Sequence, residues 1–155
     1  MTHDFSHRLD LITTSSQMQE ALEIRRQVFQ DEQQVPVERE VDEYDAPLHP
    51  FQAYVHVVGY DGEIPVSTGR IVMPDSFEDL PKVGRVAVLS RFRRRGWGRR
   101  IMTELENQAK KRGYKGVQLA AQLQATPFYC SLGYESVGKI FMDAGIEHRL
   151  MRLHF

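Results

Sequence analysis

An arginine-rich turn broken by glycines, between an apolar run and a helical run, constrains this chain most. The turn, residues 93–98, reads Arg-Arg-Arg-Gly-Trp-Gly; it follows the apolar residues 83–89 and leads into the amphipathic residues 98–112. Backbone N–H groups at a helix N-terminus point outward, and the helix dipole favours negative charge there. Gly96 and Gly98 lack a Cβ and can take the positive-φ conformations that aim successive amides at one point. The pattern predicts a strand, a turn and a helix that together bind an anion, with a diphosphate as the expected ligand.

The same six residues also suit a solvated basic turn that merely precedes a helix. Two familiar phosphate-binding motifs are absent: the chain has no Gly-x4-Gly-Lys-Ser/Thr, and Ile101 stands where Gly-x-Gly-x-x-Gly needs its third glycine. What remains resembles the Arg/Gln-x-x-Gly-x-Gly/Ala signature of the GCN5-related N-acetyltransferases (GNATs). In that family the loop binds the pyrophosphate of acetyl-CoA.

Three further segments support this resemblance. Residues 119–129 and the following Leu-Gly-Tyr at 132–134 resemble the second GNAT signature, a strand leading into a short helix that carries Phe-Tyr. Residues 25–36 and 141–148 are similar to a narrower branch, the small ElaA/YjcF-like acetyltransferases. Four separated motifs in the right order are far more specific than one.

The resemblance implies a single N-acetyltransferase domain over residues 1–155, with acetyl-CoA as the cosubstrate. It implies an α/β GNAT fold: a mixed, mostly antiparallel sheet of roughly six to seven strands flanked by about four helices. Backbone groups of the strand before the loop would meet the pantetheine arm and the oxyanion, here at Val86, Ala87 and Val88. The other residues implied for the cofactor are Arg93, Arg94, Arg95, Gly96, Trp97, Gly98, Arg99, Gln124 and Tyr129. The Trp97 ring either covers the adenine or pantetheine or packs on its own protein.

Acetyl transfer from a thioester to an amine needs an unprotonated amine, a donor for the oxyanion and a proton for the departing thiolate. An alkyl amine has a pKa near 10.4, so deprotonating it at neutral pH costs roughly 4 to 5 kcal/mol without a base. The family places a phenol beside the sulfur of CoA, which makes Tyr129 the expected general acid. On residue type alone, Tyr129 suits equally well a buried tyrosine whose hydroxyl binds a carbonyl.

The base is not decided by the sequence. Family members with a His or Glu on the central strand would place it in residues 82–89, which offer only Lys82 and Arg85. Candidates elsewhere are Glu32, Glu40, Asp42 and His148. Glu32 ends the first predicted helix within the branch-like motif, and His148 begins the last predicted strand. We keep Glu32 and His148 as the expected catalytic candidates beside Tyr129.

The charges of the chain are segregated although they nearly cancel. The formal net charge is −1, yet residues 91–100 hold six arginines and no acid, whereas residues 31–45 hold seven acids and one basic residue, Arg39. The acidic segment either forms a solvated loop or borders the acceptor, where its field would favour a cationic amine such as a polyamine. An isoelectric point of about 6.6 and the absence of a nucleic-acid motif argue against nucleic-acid binding. His3, His7, His49, His56 and His154 show no metal-ligand spacing, so we expect no metal.

Length and composition set the outer limits. A chain of 155 residues buries about 70% of the surface that its unfolded form exposes, which is enough for a hydrophobic core without disulfides or a structural metal. One cysteine, Cys130, excludes an intramolecular disulfide and fits a reducing compartment. No apolar run approaches about 18 residues, and residues 1–10 lack the apolar segment of a signal peptide. We expect a cytoplasmic protein that neither enters a membrane nor binds nucleic acid.

Two questions of function stay open at this level. The acceptor is a small-molecule amine or a peptide amine, and the oligomeric state is not determined, a dimer included. The alternative to catalysis is a module of the same fold that binds or senses CoA without turnover.

The hydrophobic pattern predicts the order of the elements. Predicted strands cover residues 9–13, 51–60, 64–73, 83–89, 116–123, 134–140 and 148–155. Predicted helices run from a capping box at Ser16 and Gln19 to a point before Pro36, over residues 98–112, and over residues 126–132. The acidic stretch up to residue 50 is expected to be a loop with at most one helical turn.

Overall fold

Alternating apolar residues pair seven strands into one mixed sheet in the computed structural model, which describes residues 7–45 and 53–155. The strands are β1 (His7–Leu11), β2 (Tyr54–Asp61), β3 (Ile64–Val72), β4 (Lys82–Val88), β5 (Gly116–Gln122), β6 (Glu135–Asp143) and β7 (Ile146–His154). The helices are α1 (Ser15–Arg25), α2 (Val37–Glu40), α3 (Trp97–Lys111) and α4 (Thr126–Ser131). The predicted α/β fold is confirmed in its strand number, its helix number and its mostly antiparallel sheet.

The central pair of strands opens toward one end of the sheet. The strand order is β1-β2-β3-β4-β5-β7-β6, and β4 and β5 form the one parallel pair, joined through α3. Their ladder holds only two pairs, Lys82 with Gln118 and Val83 with Leu119. Beyond these pairs the two strands continue without pairing to each other. The sheet therefore has an opening between the last residues of β4 and those of β5.

Each face of the sheet carries its own hydrophobic core. On one face, which we call the α3 face, helix α3 packs Ile101 and Leu105 against Ile71 and Val83 of the strands. On the opposite face, the α1 face, Ala21 and Ile24 of α1 pack against another set, which includes Val58, Val66 and Ala87. Because side chains alternate along a strand, the two cores share the same strands.

The first helix differs from its prediction at its start. Thr14, extended at φ −127°, caps α1: its hydroxyl accepts a hydrogen bond from the Gln17 N–H at 3.1 Å, and the Gln17 side-chain oxygen accepts one from the Thr14 N–H. The prediction of Ser16 and Gln19 as the capping box is therefore wrong, because Ser16 already lies inside the helix. After α1 the chain continues as a π-helical segment, Arg26–Glu32, and the helix ends before Pro36 as predicted. Short π-helical stretches occur often at functional sites.

The acidic stretch and the C-terminal hairpin refine the predicted boundaries. One turn of helix, α2, and a 3₁₀ turn, Glu43–Asp45, stand where a loop with at most one helical turn was expected. Residues 1–6 and 46–52 lie outside the described residues, so His3, His49 and the start of the predicted strand at Phe51 have no structural account here. Strand β1 starts two residues before its prediction, and β6 and β7 extend to a turn at residues 144–145, where both φ angles are positive.

Candidate active site

Strand β4 carries a β-bulge beside the opening in the sheet. Thr68 of β3 lies opposite Ala87 and Arg70 lies opposite Gly84, so that Arg85 and Val86 share one position of the partner strand. Arg85 has φ 54°, a conformation that residues other than glycine rarely adopt. A bulge bends the strand and leaves a residue unpaired in the ladder. Since β5 pairs with no residue of β4 after Val83, main-chain groups of residues 84–88 that face the opening have no ladder partner there.

The arginine-rich turn forms an open cradle at the start of α3. Arg94 has φ 63° and Gly96 has φ 85°; Gly96 is the N-cap residue, and its carbonyl accepts the first helical bond, from the Arg100 N–H at 3.1 Å. The amides of residues 97–99 therefore have no acceptor within the helix. A Cβ built on Gly96 would meet no atom within 4 Å. The space in front of Gly96 is therefore open.

The arginine side chains of the turn do not all face this space. Arg93 donates through Nε to the Val88 carbonyl at 2.9 Å and through Nη2 to the Glu32 carboxylate at 2.9 Å. The guanidinium of Arg95 lies 5.6 Å from the centre of the Phe92 ring. Arg94 and Arg99 are exposed. The turn thus offers backbone amides and exposed cations, while Arg93 is held against the neighbouring π-helical segment.

The Trp97 ring packs on its own protein. Its exposed fraction is 1%, and it lies in the core of the α1 face. The ring is thus not available to cover a cofactor, and only the Trp97 N–H contributes to the cradle. Gly98 lies against α4, because a Cβ there would come within 3.1 Å of the Phe128 ring. This contact sets the start of α3 beside the second signature.

Tyr129 lies in α4, half-buried against the core of the α3 face. Its ring contacts Phe128 and Tyr134, with ring centres 5.0 and 5.8 Å away. Within residues 7–45 and 53–155 no group hydrogen-bonds to its hydroxyl, and burial raises the pKa of Tyr129 to about 12. The alternative of a phenol bound to a carbonyl is not what the structure shows. At neutral pH the hydroxyl is protonated and free to donate.

The end of the π-helical segment bridges the opening between β4 and β5. Glu32 binds Arg93, which follows β4, and the next residue, Gln33, accepts a hydrogen bond from the Gln122 side chain at the end of β5, at 2.7 Å. Gln122 in turn accepts a bond from Gln124 at 2.8 Å. Sequence reasoning missed Gln33 and Gln122 as site residues. The available signal was a polar residue that ends an otherwise apolar strand inside the second signature.

His148 lies on the same side of the sheet as this bridge. It stands directly opposite Gln122 in the β5–β7 ladder, and opposed residues of an antiparallel pair point to one face. Since Gln122 reaches Gln33, that face is the α1 face. His148 is 8% exposed, its ring stacks on Phe141, and Nδ1 lies 2.7 Å from the Ile146 carbonyl oxygen. A carbonyl only accepts, so Nδ1 carries the hydrogen and Nε2 of the neutral ring has a free lone pair.

Most of the acidic stretch is neutralised by arginines. Three arginines and three carboxylates form what we call the buried ionic cluster: Arg25, Arg70, Arg85, Glu40, Asp42 and Asp45. Arg25 binds Glu40 and Asp45 at 2.5 and 2.6 Å, and Arg70 binds Asp42 at 2.6 Å. The charges of Glu40, Asp42 and Asp45 are thus paired and mostly buried, so these three acids do not project a free negative field. The cationic nature of the acceptor stays a prediction.

This pairing also bears on the choice of base. Burial alone would raise the pKa of Asp42, but the hydrogen bonds and charge of Arg70 outweigh it and hold that pKa below its usual value. A carboxylate held in its ionised form accepts a proton poorly. Glu40 is 2% exposed and bound to Arg25. Of the four candidate bases, Glu32 and His148 are the two that the bridge brings to the opening.

Metal and membrane signals are absent from the part of the chain that the structure describes. In residues 7–45 and 53–155 no group of three or more His, Cys, Asp or Glu side chains is placed to hold a metal ion. No helix within these ranges has the length and apolarity to cross a membrane.

Comparison with known proteins identifies the family. Residues 15–155 match the acetyltransferase (GNAT) domain family. The uncharacterized N-acetyltransferase YjcF of Bacillus subtilis is 42% identical over 136 residues, which cover 87% of this chain and 91% of that protein. The crystal structure of ElaA from Escherichia coli has a TM-score of 0.79 at 27% identity, covering 94% of this chain and 98% of that one.

A more distant structure shares the fold alone. The aminoglycoside 6′-N-acetyltransferase, solved in complex with coenzyme A, has a TM-score of 0.73 at 14% identity and covers 95% of this chain. The expected family, its ElaA/YjcF-like branch and the enzyme class are confirmed. This chain belongs to the GNAT family of acyl-CoA-dependent N-acetyltransferases.

Proposed function

We propose that this enzyme acetylates a primary amine of a small molecule or a peptide by direct attack on acetyl-CoA within a ternary complex. One observation carries the proposal: the opening between β4 and β5 has an anion cradle and a free phenol on one side and two proton acceptors on the other. Tyr129 packs with the α3 face, whereas Glu32 and His148 lie toward the α1 face. We propose that residues 1–155 act as one domain.

The residues around the cradle fit the cofactor. Acetyl-CoA supplies the activated acetyl thioester. The amides of residues 97–99 and the open space at Gly96 suit its diphosphate, and the exposed side chains of Arg94, Arg95 and Arg99 supply positive charge. The main-chain groups of Val86, Ala87 and Val88 that face the opening and have no ladder partner on β5 would hold the pantetheine arm, and an N–H among them would donate to the thioester oxygen. The Val88 carbonyl is already bound by Arg93. Gln124, exposed beside α4, completes this side.

Tyr129 would serve the departing thiolate. Its pKa of about 12 keeps the hydroxyl protonated across the working range of pH. A thiol has a pKa near 8.5, about 3 to 4 pKa units below that of the phenol, so complete transfer of the phenolic proton to the sulfur is unfavourable. The phenol therefore keeps its proton and donates a hydrogen bond as charge develops on the sulfur. The C–S bond breaks with its electron pair on the sulfur, and the released thiolate takes its proton from water. This role needs a hydroxyl without another partner, which the structure provides.

His148 would receive the proton of the amine. Its Nδ1–H is committed to the Ile146 carbonyl, so the ring is locked in the form whose Nε2 accepts. Glu32 is held by Arg93 and is about 40% exposed, so its negative charge is partly neutralised before substrate arrives. We therefore assign the base to His148, acting directly or through water. We assign Glu32 a supporting electrostatic role toward the ammonium form of the acceptor.

The acceptor arrives as a cation, because an alkyl amine with a pKa near 10.4 is protonated at neutral pH. The buried ionic cluster gives no reason for a polycation in particular, since its three positive and three negative charges cancel. The acceptor class is therefore a primary amine with one reactive ammonium group.

Initial-rate kinetics test the proposal. Acetyl-CoA is offered with polyamines, amino sugars, aminoglycosides, amino acids and short peptides, while free thiol and acetylated product are measured together. We expect amine-dependent thiol release in a 1:1 ratio with product, and double-reciprocal lines that intersect. Parallel lines, or an acetylated enzyme isolated without amine, would contradict direct attack in a ternary complex.

A further inference from the structure

Arg85 adopts an unfavourable backbone conformation in the middle of the strand that borders the reaction site. With φ 54°, the backbone of Arg85 lies in the left-handed region, which residues other than glycine rarely adopt. This conformation costs on the order of 1 to 3 kcal/mol and persists only where the surroundings hold it. The next residue is Val86, the first of the three main-chain positions assigned to the cofactor. The strained residue therefore determines how that backbone enters the opening.

Within the described residues, the hydrogen bonds of the Arg85 side chain all go to one short segment, residues 39–42. Nε donates to the Glu40 carbonyl at 2.9 Å, and Nη2 donates to the Arg39 carbonyl at 3.3 Å and to the Asp42 carboxylate at 3.2 Å. Arg25 also donates to the Glu40 carbonyl, at 2.8 Å, and Arg70 binds Asp42. Residues 39–42 are thus fixed to α1, to β3 and, through Arg85, to the bulge of β4.

The same segment reaches the hairpin that carries His148. The Arg39 side chain forms an ion pair with Asp143, at the end of β6, at 3.0 Å. His148 lies on β7, two residues after that strand begins. A continuous set of contacts therefore runs from the bulge through residues 39–42 to the strand pair that holds the proposed base.

Electrostatics do not explain why an arginine occupies this position. Burial, and then the nearby charges of Arg70 and Arg25, lower the pKa of Arg85, so its surroundings disfavour the charged side chain. Its side chain is 26% exposed, against 1% for Arg25 and 8% for Arg70. Arg85 is the least buried cation of the cluster, and both its backbone and its charge are unfavourable, which points to a role other than stability.

We propose that Arg85 is a positioning residue for acetyl transfer: its side chain clamps the β4 bulge to residues 39–42 and so fixes the Val86 backbone relative to the acceptor side. The proposal rests on the proposed function, because it concerns the same site. Arg85 itself need not touch acetyl-CoA or the amine. Misplacement of reacting groups by about 1 Å costs on the order of 10²-fold in rate.

Two variants separate the side chain from the backbone. Arg85→Gly keeps the positive φ at no steric cost and removes the clamp, whereas Arg85→Lys keeps a cation that reaches fewer of the three acceptors. Val117→Ala is the control, since it weakens the core at the start of β5, away from the bulge. We measure kcat, the KM of each substrate, the dissociation constant of CoA, melting temperature and the amide shifts of residues 86–88.

The clamp predicts that Arg85→Gly lowers kcat about 10- to 100-fold, shifts the amide resonances of Val86 and Ala87, and changes the CoA dissociation constant less than about twofold. Arg85→Lys should recover part of kcat. The control should lower the melting temperature without the loss of kcat or the amide shifts.

Unchanged kcat and amide shifts in Arg85→Gly would overturn the proposal, as would an equal loss of kcat in Val117→Ala at matched stability. If Arg85→Gly does not fold, Arg85→Lys tests the proposal instead. A kcat of Arg85→Lys equal to that of the parent, with unchanged amide shifts at residues 86–88, would overturn the clamp. If the parent acetylates no amine, the proposed function fails. In that case the amide shifts and CoA affinities still test the clamp.

Discussion

The two sides of the opening between β4 and β5 offer a ligand different groups: main-chain amides on one side and side chains on the other. The cradle side consists of main-chain amides shaped by two positive φ angles, at Arg94 and Gly96, with open space in front. The side that we propose for the acceptor consists of side chains that bind one another, from the Glu32–Gln33 bridge to the buried ionic cluster. Cofactor recognition should therefore depend on backbone conformation, whereas positioning of the acceptor should depend on particular side chains.

The largest expected effect lies in the chemistry between the two sides. Tyr129→Phe removes the free hydroxyl and should lower kcat about 10²- to 10⁴-fold, because the departing thiolate loses the hydrogen bond that stabilises its developing charge. The CoA dissociation constant should change less than about twofold, because the ring keeps its packing. Tyr134→Phe is the control: it removes a neighbouring hydroxyl that is bound to Glu106. Equal kcat values for the Tyr129 and Tyr134 variants, with chemistry rate-limiting, would remove Tyr129 from the mechanism.

The next-largest expected effect is a loss of stability, which should differ between the buried ionic cluster and a surface ion pair. Asp45→Asn leaves Arg25 with an incomplete partner in the interior and should lower the free energy of unfolding by about 3 to 5 kcal/mol at pH 7. Asp31→Asn removes an exposed ion pair with Arg26, which solvent screens, and should change the free energy of unfolding far less than Asp45→Asn does. Urea unfolding of both variants measures the difference. Similar losses for the two would show that burial of the cluster has no energetic consequence.

The pH dependence of the same variants sharpens this test. Burial alone would raise the pKa of Asp45, but hydrogen bonds from Arg25 and from the Asp42 N–H outweigh it and lower the pKa. A lowered folded-state pKa contributes stability that is complete above the unfolded value, near 3.9, and is lost as pH falls through the folded value. The difference in the free energy of unfolding between the parent and Asp45→Asn should therefore decrease below about pH 4. If this difference stayed constant from pH 7 to pH 3, the lowered pKa of Asp45 would be contradicted.

On the cradle side, a smaller effect should follow from one backbone position. Gly96→Val places a β-branched residue at φ 85° and its side chain in the open space, so CoA should bind about 10- to 100-fold more weakly. Gly62→Val is the matched control, because Gly62 also has a positive φ and open surroundings but lies in the β2–β3 turn. Calorimetric titration with CoA compares them. An unchanged dissociation constant in Gly96→Val would refute the cradle.

The same difference between the two sides explains what the sequence could predict. The cradle was predictable because its glycines and arginines are neighbours in the chain, and turn chemistry is local. The buried cluster was not, because its partners lie 15 to 45 residues apart and meet only when the sheet forms. The acids of residues 31–45 therefore looked like a free field although Glu40 and Asp45 are buried.

The bulge and the helix cap show two further limits. Nothing in residues 82–89 marks Arg85 as a positive-φ residue, since bulges depend on pairing with β3. At α1, both Thr14 with Gln17 and Ser16 with Gln19 have the spacing of a capping box, and the choice depends on where the preceding strand ends. Tertiary pairing decided both cases.

The smallest expected effect is that of Glu32→Gln, which is compared with His148→Gln to separate the two candidate bases. His148→Gln should lower kcat by about 10²-fold, since the lone pair at Nε2 that would accept the proton is lost. Glu32→Gln should lower kcat less than about fivefold, because its exposed pair with Arg93 is worth about 1 kcal/mol or less. The measurement is kcat against pH for both variants. The reverse ranking would assign the base to Glu32.

A crystal structure of the enzyme with CoA and an amine product bound tests the central claim most directly. We expect the diphosphate on the amides of residues 94–99, the pantetheine along Val86–Val88, the sulfur within hydrogen-bonding distance of the Tyr129 hydroxyl, and the amine on the side of His148. A diphosphate bound away from the Gly96 cradle, or an amine and a sulfur on the same side of the opening, would contradict the two-sided site.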